Sequence, residues 1–456
     1  MLVVAGPHTD RCSCVGDEAS PVCGPCSKVG RYCDRTTTER RFVAFAATGE
    51  AAWSNEKASS SSLITINREC LEKPEIAGYF HHYITHVAPW YDLGDESRHF
   101  ALTVPRLALD QPLLLGAIIA LSAIHVAQST GSATAKRAAE VYHGHCIRSL
   151  IELDQSSVVL ENGVALAATC LLRSFEILNE VHDPQRHLRG AYSLASQPAV
   201  VRDGTFTVLH QAGFWNYLRE DITFSLFEGC PLKVDLDLAS SSLAVTAARC
   251  PLDSISLLLG QILNAVHTST MSCDIWSEFQ ERLTSWYSSL PLYMHPFSTG
   301  TQAARSIEGP LPRSWFLQDT YASAMHYFLT ATCVLTTCAS ENQLPHMAQL
   351  SGIGKDKTPS KEDILEYSSL NICGIAFTTN TPSVLVNAFG PMFYCESFLS
   401  LKECAEAYSI PQGGNFIRQE AARQEIIRHL HACKKIVGWP VERVVNLLCN
   451  EVAEQK

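Results

Sequence analysis

The sequence has few charged residues for its length, and basic residues are the scarcer kind. Charged side chains make up 18% of 456 residues, with 35 Lys and Arg against 46 Asp and Glu and a net charge of −11. Nucleic-acid phosphates are held by Lys and Arg, so this balance excludes a protein that binds a polyanion through its whole surface. Any contact with nucleic acid must be local.

Long hydrophobic runs are also missing. The longest nearly apolar stretch, residues 113–127, contains Ser122 and His125 and is shorter than the ~20 residues that cross a bilayer. The first ten residues, MLVVAGPHTD, lack the basic region of a secretory signal. We therefore expect an intracellular protein with no membrane partner.

The apolar residues of the sequence follow the spacing of helices and not the alternation of strands. Apolar positions recur at steps of three or four from about residue 71 onward, as in Ala139, Tyr142, Cys146 and Leu150. No convincing run of alternating strand residues and no fixed-period repeat occurs. The predicted fold is all-α, with one large helical domain over residues 71–456.

Three further features refine this prediction. Residues 113–127 are apolar nearly all round and predict the central helix. Near the end of the chain, Asn415 is a candidate helix cap, and Gly438 with Pro440 supplies a stop. Stretches rich in Ser, Gly or Pro predict surface loops at 229–250, 291–312 and 339–363.

The cysteines are unevenly distributed. Of the 18 cysteines, five lie in the first 33 residues, and thiols inside cells are kept reduced. Residues 42–70 contain a serine run without amphipathic spacing and are expected to form a flexible linker. We therefore divide the chain into a Cys-rich segment (1–41), this linker (42–70) and the helical domain (71–456).

The Cys-rich segment contains a spacing suited to zinc. The run PVCGPCSKVGRYC places Cys23, Cys26 and Cys33 in a C-x2-C-x6-C arrangement, with Pro21 before it and Gly30 inside it. A C-x2-C turn lets two thiolates reach one tetrahedral zinc ion. This run resembles the second half of the binuclear zinc cluster of fungal transcription factors, whose pattern is P-x-C-x2-C-x3-G-x2-C.

The first half of that cluster is not matched. Upstream of Cys23 only Cys12 and Cys14 are available, and residues 1–41 carry six basic and five acidic residues. Either the true start lies upstream, or half of the cluster has been lost together with autonomous DNA binding. Five cysteines cannot complete a binuclear site, but one zinc held by Cys14, Cys23, Cys26 and Cys33 is conceivable. The competing interpretation is a remnant with unligated thiols.

A second resemblance covers much of the remaining chain. Residues 79–127, the segment HLRGAYSLA at 187–195 and the segment FWNYLREDITFSL at 214–226 resemble, in this order, the helical regulatory domain downstream of fungal zinc clusters. The resemblance implies an all-α regulatory domain, a nuclear location and control of transcription. It also implies DNA as a partner if the zinc segment is competent.

Residues 214–226 also have a structural interpretation of their own. Apolar side chains four residues apart occupy one face of this predicted helix, and polar ones occupy the other: Asn216, Arg219, Glu220 and Thr223. Arg189 and Arg219 could contact an anion or pair with a buried carboxylate such as Asp221, and we favour the pairing.

Two patterns were weighed for metal-dependent chemistry. His82 and His86 have the i, i+4 spacing of zinc ligands but lack the Glu of an H-E-x-x-H motif, so we interpret them as polar residues on a helix face. Asp92, Asp95 and Glu96 could hold Mg²⁺ in an all-α enzyme, but no second motif follows. We interpret this acidic group as a solvated loop and predict no enzyme activity.

The sequence therefore predicts a nuclear transcription regulator of the fungal zinc-cluster type that controls a target pathway or gene cluster. The alternative is a regulator without autonomous DNA binding that acts through a partner transcription factor. No sustained heptad pattern is present, so homodimerisation stays open.

Overall fold

A computed structural model describes residues 66–153, 162–179, 208–236, 250–299, 309–353, 359–394 and 419–449, apart from positions 443 and 447. Nearly all regular structure in these ranges is helical, which confirms the predicted all-α class. The predicted zinc ligands and most of the predicted linker lie outside the described residues, as do Arg189 and Asn415.

The α-helices are numbered here in chain order. The first six are α1 (Pro74–His82), α2 (His99–Ala108), α3 (Pro112–Thr130), α4 (Ala133–Ile151), α5 (Val164–Leu178) and α6 (Val208–Glu228). The others are α7 (Pro251–His267), α8 (Cys273–Ser289), α9 (Asp319–Thr337), α10 (Leu344–Ser351), α11 (Lys361–Thr379), α12 (Pro382–Tyr394) and α13 (Glu420–Val437). A π-turn (Tyr83–Val87) and a 3-10 turn (Ala88–Trp90) follow α1.

Helix α3 is the central helix of the first half, as its composition predicts. Pro112 occupies its first turn, where a missing amide hydrogen costs nothing, and Gly131 ends it at a φ of 71°. By length and hydropathy α3 could cross a membrane, but most of its surface is buried within the protein. Helices α1, α2, α4 and α5 pack around it, so α3 is a core helix.

Two groups of helices build the body. The first surrounds α3, and the second surrounds α9, which packs against α7, α11 and α12. Helix α6 contacts α2 and α5 of the first group and α7 and α12 of the second. Helix α13 contacts α3, α11 and α12. The two groups are therefore joined along α6 and α13.

Two of the three stretches predicted as surface loops contain buried residues. The stretch 339–363 contains α10, because Leu344, Met347, Ala348 and Ser351 follow helical spacing and are buried. In the stretch 229–250, the described residues include three buried apolar side chains: Leu232, Val234 and Leu236. The Ser, Gly and Pro content of these stretches predicted surface loops. That prediction missed α10 in 339–363, whereas residues 229–236 have little regular structure but bury three side chains.

The third predicted loop contains a very short hairpin. Strand β1 (Ser298–Thr299) pairs in antiparallel register with β2 (Ser314–Trp315). These are the only strands in the described ranges. At the other end of the chain, Gly438 terminates α13 at a φ of 68°, which confirms the predicted stop.

Candidate functional site

A cavity of about 820 Å³ lies where the two groups of helices meet. Residues of α5, α6, α9 and α12 line it, together with the 3-10 turn after α1 and the residues after α13. Much of its wall is aromatic, from Trp90, Tyr91, Phe224, Phe227, Tyr327, Phe389 and Trp439. Its size and apolar wall are those of sites that enclose a small organic molecule.

The aromatic wall is built by residues distant in sequence. The rings of Trp90 and Trp439 meet edge to face, with centroids 5.8 Å apart, and thereby join the turn after α1 to the end of α13. Phe227 stacks on Phe393 at 3.6 Å and lies 6.1 Å from Phe389, which joins α6 to α12. Such ring pairs hold the wall in a defined shape.

The polar face predicted for α6 lines this cavity. Asn216, Arg219, Glu220 and Thr223 all contribute to its wall, while Phe214, Leu218, Ile222 and Leu226 are buried in the surrounding core. The helix is enclosed by α2, α5, α7 and α12. Its polar stripe therefore faces an internal space and not the outer surface.

Two side chains hold Arg219 in place at the cavity wall. It donates to Asp253 of α7 and to Asn216, each at 3.1 Å, and Asn216 in turn donates to the Tyr91 carbonyl at 2.9 Å. A buried carboxylate does pair with Arg219, as expected, but the partner is Asp253. The proposed partner Asp221 instead accepts the amides of Lys233 and Val234, at 2.7 and 2.9 Å, because it lies on the opposite side of α6.

Glu220 is a carboxyl group of the cavity wall whose pKa is strongly raised. Burial raises the pKa of its carboxyl to about 8, while Arg173 and Arg219 act in the opposite direction. Within the described ranges, no residue donates a hydrogen bond to this carboxylate. A carboxyl at the cavity wall with such a pKa is mostly protonated at neutral pH and half ionised near pH 8.

One edge of the cavity carries a further ion pair. Lys434, in the last turn of α13, bonds to Glu442, which follows that helix, and both residues line the cavity. This pair is partly exposed, with 36% and 54% of the two side chains accessible. It lies at the solvent side of the site.

The two histidines considered as zinc ligands have other partners. His82 Nε2 lies 2.8 Å from His125 Nδ1, and the His82 ring stacks on His86 at 4.5 Å. Burial is the main reason that the pKa values of His82 and His125 fall to about 4. His82 is thus a polar residue on a helix face, as predicted, and α3 brings the buried His125 against it.

The acidic group considered for magnesium begins helix α2. The Asp92 carboxylate accepts the amides of Phe100 and Ala101, both at 2.8 Å. Asp95 accepts the His99 amide at 2.8 Å and contacts the His99 ring at 2.6 Å. The two aspartates therefore satisfy amides at the start of a helix, whereas the sequence analysis expected them to be solvated.

The predicted zinc ligands Cys12, Cys14, Cys23, Cys26 and Cys33 lie outside the described residues, so their arrangement stays a prediction. The cysteines of the described ranges are free thiols. No group of three or more His, Cys, Asp or Glu side chains suited to a metal occurs in those ranges.

Sequence reasoning missed most of the cavity wall. Trp90, Phe227, Phe389 and Trp439 come from four separate segments, and nothing in their local spacing indicates that they meet. One signal was available: α6 places polar residues at i, i+3, i+4 and i+7 within a segment that is otherwise apolar. A polar stripe on an enclosed helix requires an internal polar space.

Comparison with known proteins gives one match. Residues 78–199 match the family model described as "Fungal specific transcription factor domain". The match runs from within α1 to beyond α5, about a quarter of the chain, and includes two of the three segments that resemble this domain in the sequence. No match was found among curated proteins or among solved structures. Residues 78–199 are thus similar to a domain found in fungal transcription regulators.

Proposed function

We propose that this protein is a nuclear transcription regulator of the fungal zinc-cluster type. The observation that carries the proposal is the match of residues 78–199 to the fungal transcription factor domain. The C-x2-C-x6-C run supports it, because a thiolate-held zinc ion is a known way to shape a short segment for DNA. The helical body would then control what the N-terminal segment does at its target promoter.

In this proposal zinc is held by Cys14, Cys23, Cys26 and Cys33, with Cys12 as the substitute for Cys14. Four thiolates complete one tetrahedral site. Residues 1–41 have only one more basic than acidic residue, so we expect DNA binding to be weak and strongly reduced by salt.

The proposal is tested on the purified full-length chain by zinc quantification and by selection of bound sequences from random duplex DNA. We expect about one zinc per chain and an enriched DNA sequence. Cys23→Ser should lose both zinc and DNA binding. Cys273→Ser is the matched control, because Cys273 is exposed at the start of α8, and it should keep both.

The near balance of charge in residues 1–41 favours a second candidate, a regulator that acts through a partner transcription factor. If this candidate is correct, the full chain alone should enrich no DNA sequence. A DNA-binding protein that restores promoter binding should co-purify with the chain. A chain that binds neither DNA nor such a partner would contradict both candidates.

A further inference from the structure

The charges of the cavity wall identify the kind of molecule that fits it. Three cations line the cavity against four carboxyl groups: Arg173, Arg219 and Lys434 against Glu176, Glu220, Glu228 and Glu442. Arg219 pairs with Asp253 and Lys434 with Glu442, and Arg173 acts electrostatically on Glu220. The Glu220 carboxylate, in contrast, has no hydrogen bond from any residue of the described ranges. A ligand that donates a hydrogen bond to this desolvated carboxyl would stabilise its ionised form.

The position of Glu220 places it among aromatic side chains. Tyr91 and Tyr327 lie close enough for their hydroxyl groups to interact electrostatically with it, and Trp90, Phe224 and Phe227 line the same cavity. The faces of such rings attract cations, most strongly where water is excluded. The same rings offer an apolar surface for the body of a ligand.

Three classes of ligand differ in how well they would fit the Glu220 carboxyl and the aromatic rings. A neutral apolar molecule would fill the volume but would donate no hydrogen bond to Glu220. An anion would meet the lining carboxyl groups of Glu176, Glu220 and Glu228. Of the lining arginines, Arg173 already acts electrostatically on Glu220, and the terminal nitrogens of Arg219 already bond to Asp253 and Asn216. An organic cation satisfies Glu220 and uses the ring faces.

We infer that the cavity binds an amphipathic organic cation, in which an ammonium group contacts the Glu220 carboxylate and an apolar body packs against the aromatic wall. The volume of about 820 Å³ suits a drug-sized molecule. Since the cavity is walled by α5 and α6 on one side and by α9 and α12 on the other, a bound cation contacts both groups of helices.

This inference goes beyond the proposed function, because it concerns the cavity and not the Cys-rich segment. Its test uses the full-length chain and contains no DNA. Failure of the binding test would therefore leave the zinc and DNA experiments unaffected, and the reverse also holds.

The test compares three fluorescent probes that share one apolar body and differ in head-group charge: pyrenemethylamine, pyrenemethanol and pyrenecarboxylate. Fluorescence anisotropy at about pH 8 gives each dissociation constant. We expect the amine to bind about tenfold more tightly than the alcohol, the ratio typical of a hydrogen bond to a charged group. The carboxylate should bind most weakly.

Variants locate the effect at Glu220. In Glu220→Gln the affinity for the amine should fall to about that for the alcohol, while the affinity for the alcohol stays unchanged. Glu220→Asp should restore part of the preference, because it retains a carboxylate. Glu140→Gln is the matched control, since Glu140 is exposed on α4, and it should behave as the unmodified chain. Circular dichroism establishes that each variant is folded.

A variant that fills the cavity separates binding inside it from binding at the surface. Val386 lines the cavity from α12, and Val386→Trp should weaken all three probes together. Binding of none of the probes, equal binding of all three, a preference for the carboxylate, or an unchanged preference for the amine in Glu220→Gln would each overturn the inference.

Discussion

Arg219 of α6 and Asp253 of α7 form an ion pair of 3.1 Å in which only 4% and 6% of the two side chains are exposed. Burial raises the pKa of Asp253 to about 7, and Arg219 limits this rise. The pair joins the helix that carries the polar cavity wall to the second group of helices. Removing either side chain would therefore leave the charge of the other buried without its partner.

Replacing Arg219 by Met should destabilise the protein strongly. Removing one partner of a buried ion pair leaves the other charge desolvated, at a cost of about 3 kcal/mol in the free energy of unfolding. Urea denaturation followed by circular dichroism measures this change. The matched control is Glu278→Ala on α8, which breaks the exposed 3.6 Å pair with Arg282 and should cost less than about 1 kcal/mol. Similar losses for both variants would contradict the assigned role of burial.

Gly116 of α3 should tolerate no side chain, because α4 passes directly over it. A Cβ atom at Gly116 would lie 2.7 Å from Cys146 Sγ and 3.0 Å from Ile66 Cδ1. We expect Gly116→Ala to cost about 1–3 kcal/mol by overpacking, in spite of the better helix propensity of alanine.

Two comparisons isolate this contact. The double variant Gly116→Ala with Cys146→Ala should be more stable than the sum of the two single changes predicts, because the colliding sulfur is gone. Gly78→Ala on α1 is the control, since no atom lies within 4 Å of a Cβ there. It should stabilise the protein by up to about 1 kcal/mol. Additive effects in the double variant would show that Gly116 and Cys146 are not in contact.

Features that depend on neighbouring residues could be predicted from the sequence, whereas contacts between distant residues could not. The central position of α3 follows from its apolar residues on all sides, and the stop of α13 follows from Gly438, because both signals are local. The partner of Arg219 is not local: Asp253 lies 34 residues away, and Asp221 was named because it is near in sequence. The cavity depends on four distant aromatic segments, so it could be found only once their packing was known.

Asp92 should contribute to stability independently of magnesium. Both of its carboxylate oxygens accept amides at the start of α2, and Asp92→Ala removes these two acceptors. We expect a loss of about 1–3 kcal/mol, with a smaller loss in Asp92→Asn, which keeps one oxygen. Thermal unfolding with and without Mg²⁺ measures this, and the midpoint should not change with the metal. A rise with Mg²⁺ that disappears in Asp92→Ala and Asp95→Ala would instead favour the enzyme alternative.

Glu220 should make the stability of the protein fall as pH rises. The folded-state pKa of about 8 lies above the ordinary value of 4.5, so between these values the folded chain binds more protons than the unfolded chain. The stability supplied by this group is therefore complete at low pH and is lost as pH rises towards 8, by up to about 1.4 kcal/mol per pH unit. The pKa of Glu220 also depends on four nearby charged groups, which are all retained in Glu220→Gln: Arg173, Glu176, Arg219 and Asp221.

Comparison of Glu220→Gln with the unmodified chain isolates this one titration. The variant has no carboxyl at this position, so its stability relative to the unmodified chain should increase from about pH 5 to about pH 8 and then level off. Any constant loss of contacts shifts the whole curve but leaves its slope unchanged. Guanidinium denaturation at constant ionic strength measures the difference. A flat line for Glu220→Gln would mean that the Glu220 carboxyl titrates in its ordinary range. The carboxyl would then be hydrated and not desolvated by the cavity wall.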